Sequence, residues 1–134
     1  MRGDESAARF QRARSACDEE LDALIHEGDA EILSALLENP NMQEPQVSRL
    51  LERLDLSSEL IAAVAKERKW NSSESIRLRL ARHPHTPRRV AISMLRQLYL
   101  FDLVKVSLLP SAPADIRRSA EEITVYKSLG HIVQ

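Results

Sequence analysis

The chain has 134 residues, nineteen Lys and Arg against twenty Asp and Glu, three glycines and one cysteine. That length suits one domain able to bury roughly two thirds of its unfolded surface without staples. The lone Cys17 excludes an internal disulfide, a cysteine-only zinc site and a four-cysteine iron–sulfur site within one chain.

No apolar run is long enough to span a bilayer, and the start, MRGDESAARFQRARSACDEE, lacks the apolar core of a signal peptide. The expected setting is reducing and cytoplasmic, with Cys17 a partly buried helical thiol. Few glycines and aromatics with abundant Leu, Ala, Arg and Glu favour an all-α chain. Charge is uneven along it. Residues 1–65 carry six basic and fourteen acidic side chains, residues 66–105 ten basic and three acidic, and residues 106–134 three of each. Such asymmetry suits either an anionic partner for the middle segment or two halves of the chain that answer each other.

Helical spacing of Ala8, Phe10, Ala13, Ala16, Cys17, Leu21, Leu24 and Ile25 predicts one N-terminal capping helix within residues 1–28. Gly28 is placed to end it in a left-handed conformation. Asp29 then caps a helix carrying Ile32, Leu33, Leu36 and Leu37. Pro40 closes that helix, and Pro45 fits the first turn of the next, whose Val47, Leu50, Leu51 and Leu54 face inward. Ser57 or Ser58 starts a helix with Leu60, Ile61, Val64 and Ala65 on its buried side. After NSSES comes a short helix anchored by Ile76, Leu80 and Ala81. Thr86 as cap and Pro87 at the first position open another, buried through Val90, Met94, Leu95 and Leu98. YLFDLVKVSLLP ends at Pro110. Pro113 opens a last complete helix, to about Ile123, and residues 125–134 start a further unit or tail.

A device repeats along this series. Pro84-x-x-Pro87-x-x-Val90 and Pro110-x-x-Pro113-x-x-Ile116 are spaced identically with a period of 26. A looser copy, Pro40 to Val47, lies 44 residues before the second, and LDLSSELIAAV fits a degenerate copy between them. A period of this size marks stacked units that bury their apolar stripes only against neighbours. The expected fold is an all-α, short right-handed solenoid of about seven to eight helices, with repeat units over residues 29–124.

The phrases ENPNMQEPQVSRLL and ARHPHTPRRVAISML resemble the leucine-rich repeat variant family, a HEAT-like helical-repeat group. Arg82-His83-Pro84-His85-Thr86-Pro87 matches that family's Asn-Pro-like corner with His83 in place of the usual Asn, and Asn39-Pro40-Asn41 matches its first half. The resemblance covers roughly residues 30–123. It implies an architecture and a binding habit rather than a reaction. The cysteine cluster that some members carry for iron–sulfur binding is absent here.

Candidate sites are few. His83 and His85 have no third ligand at metal-binding spacing, and the Pro110–Pro113 corner repeats the device without either histidine. Both therefore read as incidental to the corner, with His83 beside the last carbonyls of its own helix. No nucleophile elbow, phosphate loop or perturbed carboxylate pair is recognisable, and no cofactor motif, so a non-enzymatic scaffold binding a protein partner is expected. The alternative is nucleic acid or another polyanion held by the basic segment 66–105, through Arg77, Arg79, Arg82, Arg88, Arg89 and Arg96. Trp70 is a candidate interface anchor or a core aromatic. Tyr126, Leu129 and Ile132 lie in an apolar C-terminal stretch that calls for a cover, either a longer array or a homodimer formed through that end.

Overall fold

The computed structural model describes residues 2–133, with side chains for residues 5–130. Among them are ten helices and no strand. In chain order these are α1 (Arg2–Ser15), α2 (Asp18–Glu27), α3 (Ala30–Leu36), α4 (Glu44–Leu50), α5 (Ser58–Lys66), α6 (Arg68–Asn71), α7 (Glu74–Arg82), α8 (Arg88–Gln97), α9 (Leu100–Ser107) and α10 (Ala114–Val133).

The caps follow the local chemistry. The Asp29 carboxylate accepts from the Ile32 N–H at 2.9 Å, and the Ser57 hydroxyl accepts from the Leu60 N–H at 3.1 Å. Pro45 lies in the first turn of α4, where its missing N–H costs nothing. Expected stripes are buried on α3, α5 and α7, including Ile32, Leu33, Leu36, Leu60, Ile61, Val64, Ala65, Ile76, Leu80 and Ala81. Each such valine, leucine or isoleucine side chain removed from water contributes about 1.5–3 kcal/mol.

The helix count exceeds seven to eight because two expected helices are each divided at a point without proline or glycine. The first divides at Ala16–Cys17. There the Asn39 side-chain amide donates to the Ala13 and Ala16 carbonyls, both at 2.8 Å, and the Asn41 amide donates to Ala16 O at 3.1 Å. The last carbonyls of α1 are thus satisfied from a later corner. Asp18 resumes the chain at φ 51°, a left-handed geometry that Asp tolerates. Cys17 is therefore exposed and outside any helix, rather than a half-buried helical thiol. The second division, at Glu67, separates α5 from α6 through an extended residue.

Other local expectations shift too. Gly28 is extended (φ −62°, ψ 145°), not left-handed. Glycine is needed for space: a Cβ there would lie 2.5 Å from Leu24 O and 2.9 Å from Ile32 Cγ2. Leu54 follows the end of α4 and faces outward, 67% exposed. Thr86 does not cap α8; its hydroxyl donates back to Leu80 O at 2.6 Å, closing the end of α7. The final helix does not stop at Ile123. It continues to Val133, so the expected new unit at 125–134 is the second half of α10.

Packing joins the helices in two series. α1 packs on α3 and α3 on α5, and later α8 packs on α10; in the other series α2 packs on α4, α4 on α7 and α7 on α9. Among the described residues, every side-chain hydrogen bond or ion pair joining residues more than six apart spans 20 to 30 residues. Several of these ties join a later segment to the corner one unit earlier. Arg53 Nη1 donates to Ile25 O and Gly28 O, the Trp70 indole N–H donates to Met42 O, and Lys127 Nζ donates to Leu98 O.

This pairing corrects the phase of the proline device. Pro84–Pro87 and Pro110–Pro113 both join a helix of the second series to one of the first, as does Asp55-Leu56-Ser57 between α4 and α5. LDLSSEL is thus in phase with the later copies. Pro40–Pro45 joins α3 to α4, the opposite kind of corner, which is why it lies 44 residues from Pro84 instead of one period.

Candidate functional site

The two histidines are structural. The His83 side chain is buried, and its Nε2 lies 2.7 Å from the Arg53 carbonyl of the earlier corner. Its Nδ1 accepts from the His85 N–H at 3.0 Å, so the proton belongs on Nε2, which donates to Arg53 O. Burial pushes the imidazole below the usual histidine range, against the opposing pull of the Arg53 carbonyl. His85 bonds Leu56 O through Nδ1 at 2.9 Å. His83 therefore ties its corner to the one before, rather than facing the carbonyls of its own helix.

Asn39 does the same work one series over. Its Oδ1 accepts from the Asn41 N–H at 2.7 Å while its amide reaches back to α1. The sequence carried the signal, Asn39-Pro40 beside His83-Pro84, but the bonds they make are invisible locally.

The six candidate arginines do not form one stripe. Arg77 is largely buried and spent within the fold, donating to Asn71 O at 2.9 Å and to Glu74 at 3.1 Å. Glu74 is drawn below its usual range. Burial opposes this, but the Asp102 carboxyl, the Tyr99 N–H and Arg77 all favour its charge, and the shared hydrogen bond raises Asp102 in return. Arg79 pairs loosely with Glu52 at 3.8 Å and, with Arg82, borders a groove shared with Leu51, Leu54, His83 and Pro84.

Arg88, Arg89 and Arg96 form a separate group. They line an open depression along α8 with Ile92, Ser93 and Gln97. Arg96 also borders an adjoining groove with Glu122, Ile123, Tyr126 and Lys127 of α10. Arg88 faces Asp115 at 3.6 Å, an exposed pair worth about 0–1 kcal/mol. Arg89 and Arg96 have no acidic partner within 4 Å among the described residues, and both are exposed. Seven residues apart, they stand about 10 Å from each other along the helix. Each guanidinium presents a planar donor fork that grips a carboxylate or phosphate through two bonds. α8 thus presents an exposed cationic edge next to an exposed tyrosine.

Trp70 is not available as an interface anchor. It is 1% exposed, and its one polar atom is held by Met42 O. Its size and that bond make it core. Tyr126 and Leu129 are exposed, at 78% and 57%; Ile132 lies beyond the described side chains.

Comparisons of the chain with protein-family models, with curated proteins and with solved structures return no match. Among the described residues no helix is long and apolar enough to cross a membrane.

Proposed function

We propose that the chain is a short α-helical solenoid of the leucine-rich repeat variant or HEAT-like kind, serving as a non-enzymatic scaffold that binds a protein partner as a subunit of a larger assembly. The observation that carries the architecture is the 20-to-30-residue span of every distant side-chain tie. In a solenoid each unit touches only its neighbours, so ties of one narrow span are what such a fold requires.

The partner-binding surface is the α8–α10 edge. Arg and Tyr are the residues most often found at energetically dominant interface positions, and here they stand together, exposed. The partner presents acidic side chains about 10 Å apart. This is the spacing of residues three apart in an extended segment or seven apart on a helix.

A second reading, nucleic acid or another polyanion, rests on Arg89 and Arg96 having no acidic partner among the described residues. One experiment separates the two. The protein and its Arg89→Glu/Arg96→Glu variant are used to capture partners from extract, with and without nuclease. A protein partner is retained after nuclease and lost with the variant. Capture that nuclease abolishes, with steep salt dependence on heparin, favours the polyanion instead. Capture equal for both forms of the protein overturns the α8 assignment.

A further inference from the structure

Exposed large apolar side chains are not spread over this molecule. Among the described residues all but Leu54 lie between Tyr99 and Leu129. The densest group is on α9, which has two apolar faces. Leu103 and Val106 are fully buried within the fold. Leu100, Phe101, Val104 and Leu108 stand outside it, 40 to 76% exposed. At about 100° per residue, these four fall within roughly a 100° arc, a stripe as wide as a core-facing helix carries. In the series α2, α4, α7 and α9, each earlier member is packed by the next; α9 has no successor among the described helices.

We propose that this stripe is covered by the same stripe of a second copy of the chain, packed antiparallel across a two-fold axis at Val104. Three observations favour this occupant. First, the spacing is its own complement: Leu100 and Leu108 are each four residues from Val104. In an antiparallel pair Leu100 of one copy meets Leu108 of the other, and Phe101 meets the small Ser107. Second, among the described residues α2, the first helix of the same series, offers no apolar counterpart. Exposed residues of α2 include Asp18, Glu19, Glu20, Asp22 and Glu27. Head-to-tail stacking would press those carboxylates on an apolar surface, whereas the two-fold arrangement sets like on like and closes.

Third, the size is right. With Tyr99 at 66% exposure, the stripe exposes on the order of 550 Å², so a pair of them buries about 1,100 Å², the size of a weak, reversible interface. Charge does not oppose it, since Lys105 at the stripe's edge faces Asp102 at 3.9 Å and its ammonium sits 5.2 Å from the Phe101 ring.

This surface is distinct from the α8 edge, so the two proposals fail separately. The test is sedimentation equilibrium of the full chain across the micromolar range. A reversible dimer is expected. Val104→Glu, which brings two carboxylates together on the axis, should give a monomer at every concentration with unchanged helical circular dichroism. Leu54→Glu and Arg89→Glu/Arg96→Glu should leave the dimer intact. In a Cys17→Ser background, Val104→Cys should oxidise almost completely to a covalent dimer, because the axis brings the two thiols together. This readout does not depend on the glutamate variant folding. A strict monomer at high micromolar concentration overturns the proposal. So does a dimer that survives Val104→Glu, or one that Val104→Cys fails to lock.

Discussion

Replacing His83 with alanine removes two hydrogen bonds at once. The Arg53 carbonyl loses its donor at 2.7 Å, and the His85 N–H loses its acceptor at 3.0 Å. An orphaned buried polar group costs about 1–3 kcal/mol, and both sites here are partly buried, so the expected loss is about 3 kcal/mol. In a chain of this size that lowers the melting temperature by roughly 10 °C. His83→Asn should recover about half, because Asn39 performs the same pair of bonds in the other series.

The pH dependence separates the two variants. The folded imidazole titrates below its ordinary value of 6.5, since burial and the Nδ1 acceptor role favour the neutral ring. Its stabilising contribution is therefore present above the unfolded pKa and is lost as pH falls through the folded one. Wild type should weaken relative to His83→Asn as pH falls below the ordinary histidine value of 6.5. Urea denaturation followed by circular dichroism, at one protein concentration so that self-association cancels, measures the gap. A gap that stays constant with pH, or an alanine variant as stable as wild type, would refute this account of the corner.

Gly28→Ala should destabilise by about 1–3 kcal/mol in the same assay despite an ordinary φ, because its methyl group meets Leu24 O and Ile32 Cγ2 at less than 3 Å. Trp70→Phe keeps most of the ring but orphans Met42 O, and should cost about 1–3 kcal/mol; Trp70→Ala should cost about 3–5 kcal/mol.

Much of this fold is legible in the sequence where the signal is local. The caps Asp29 and Ser57, the position of Pro45 and the buried stripes of α3, α5 and α7 depend on residues within one or two turns. Where distant residues decide, the sequence misleads. The first helix divides because asparagines of a later corner take its carbonyls, and nothing near Ala16 announces that. The proline pairs look like one repeating device, yet Pro40 marks the opposite kind of corner. The histidines look dispensable because the Pro110 corner lacks them, yet His83 is a tie whose partner lies 30 residues earlier. For the α8 edge, clustering of basic residues is readable. The division into spent Arg77, loosely paired Arg79 and, among the described residues, unpaired Arg89 and Arg96 depends on where the fold sets Glu74, Glu52 and Asp115.

The narrow span of the side-chain ties also governs how the chain assembles as it is made. Loop-closure entropy grows only slowly with length, so each tie across 20 to 30 residues carries nearly the same entropic cost as the last. None of them waits for a strand or helix from the far end of the polypeptide. As synthesis proceeds from the N-terminus, α1 gains its cover once Asn39 has emerged, and the corner at Arg53 once His83 has. Folding can follow the ribosome one helix pair at a time, leaving the newest apolar face uncovered at each step. Among the described helices the face left outside the fold is that of α9.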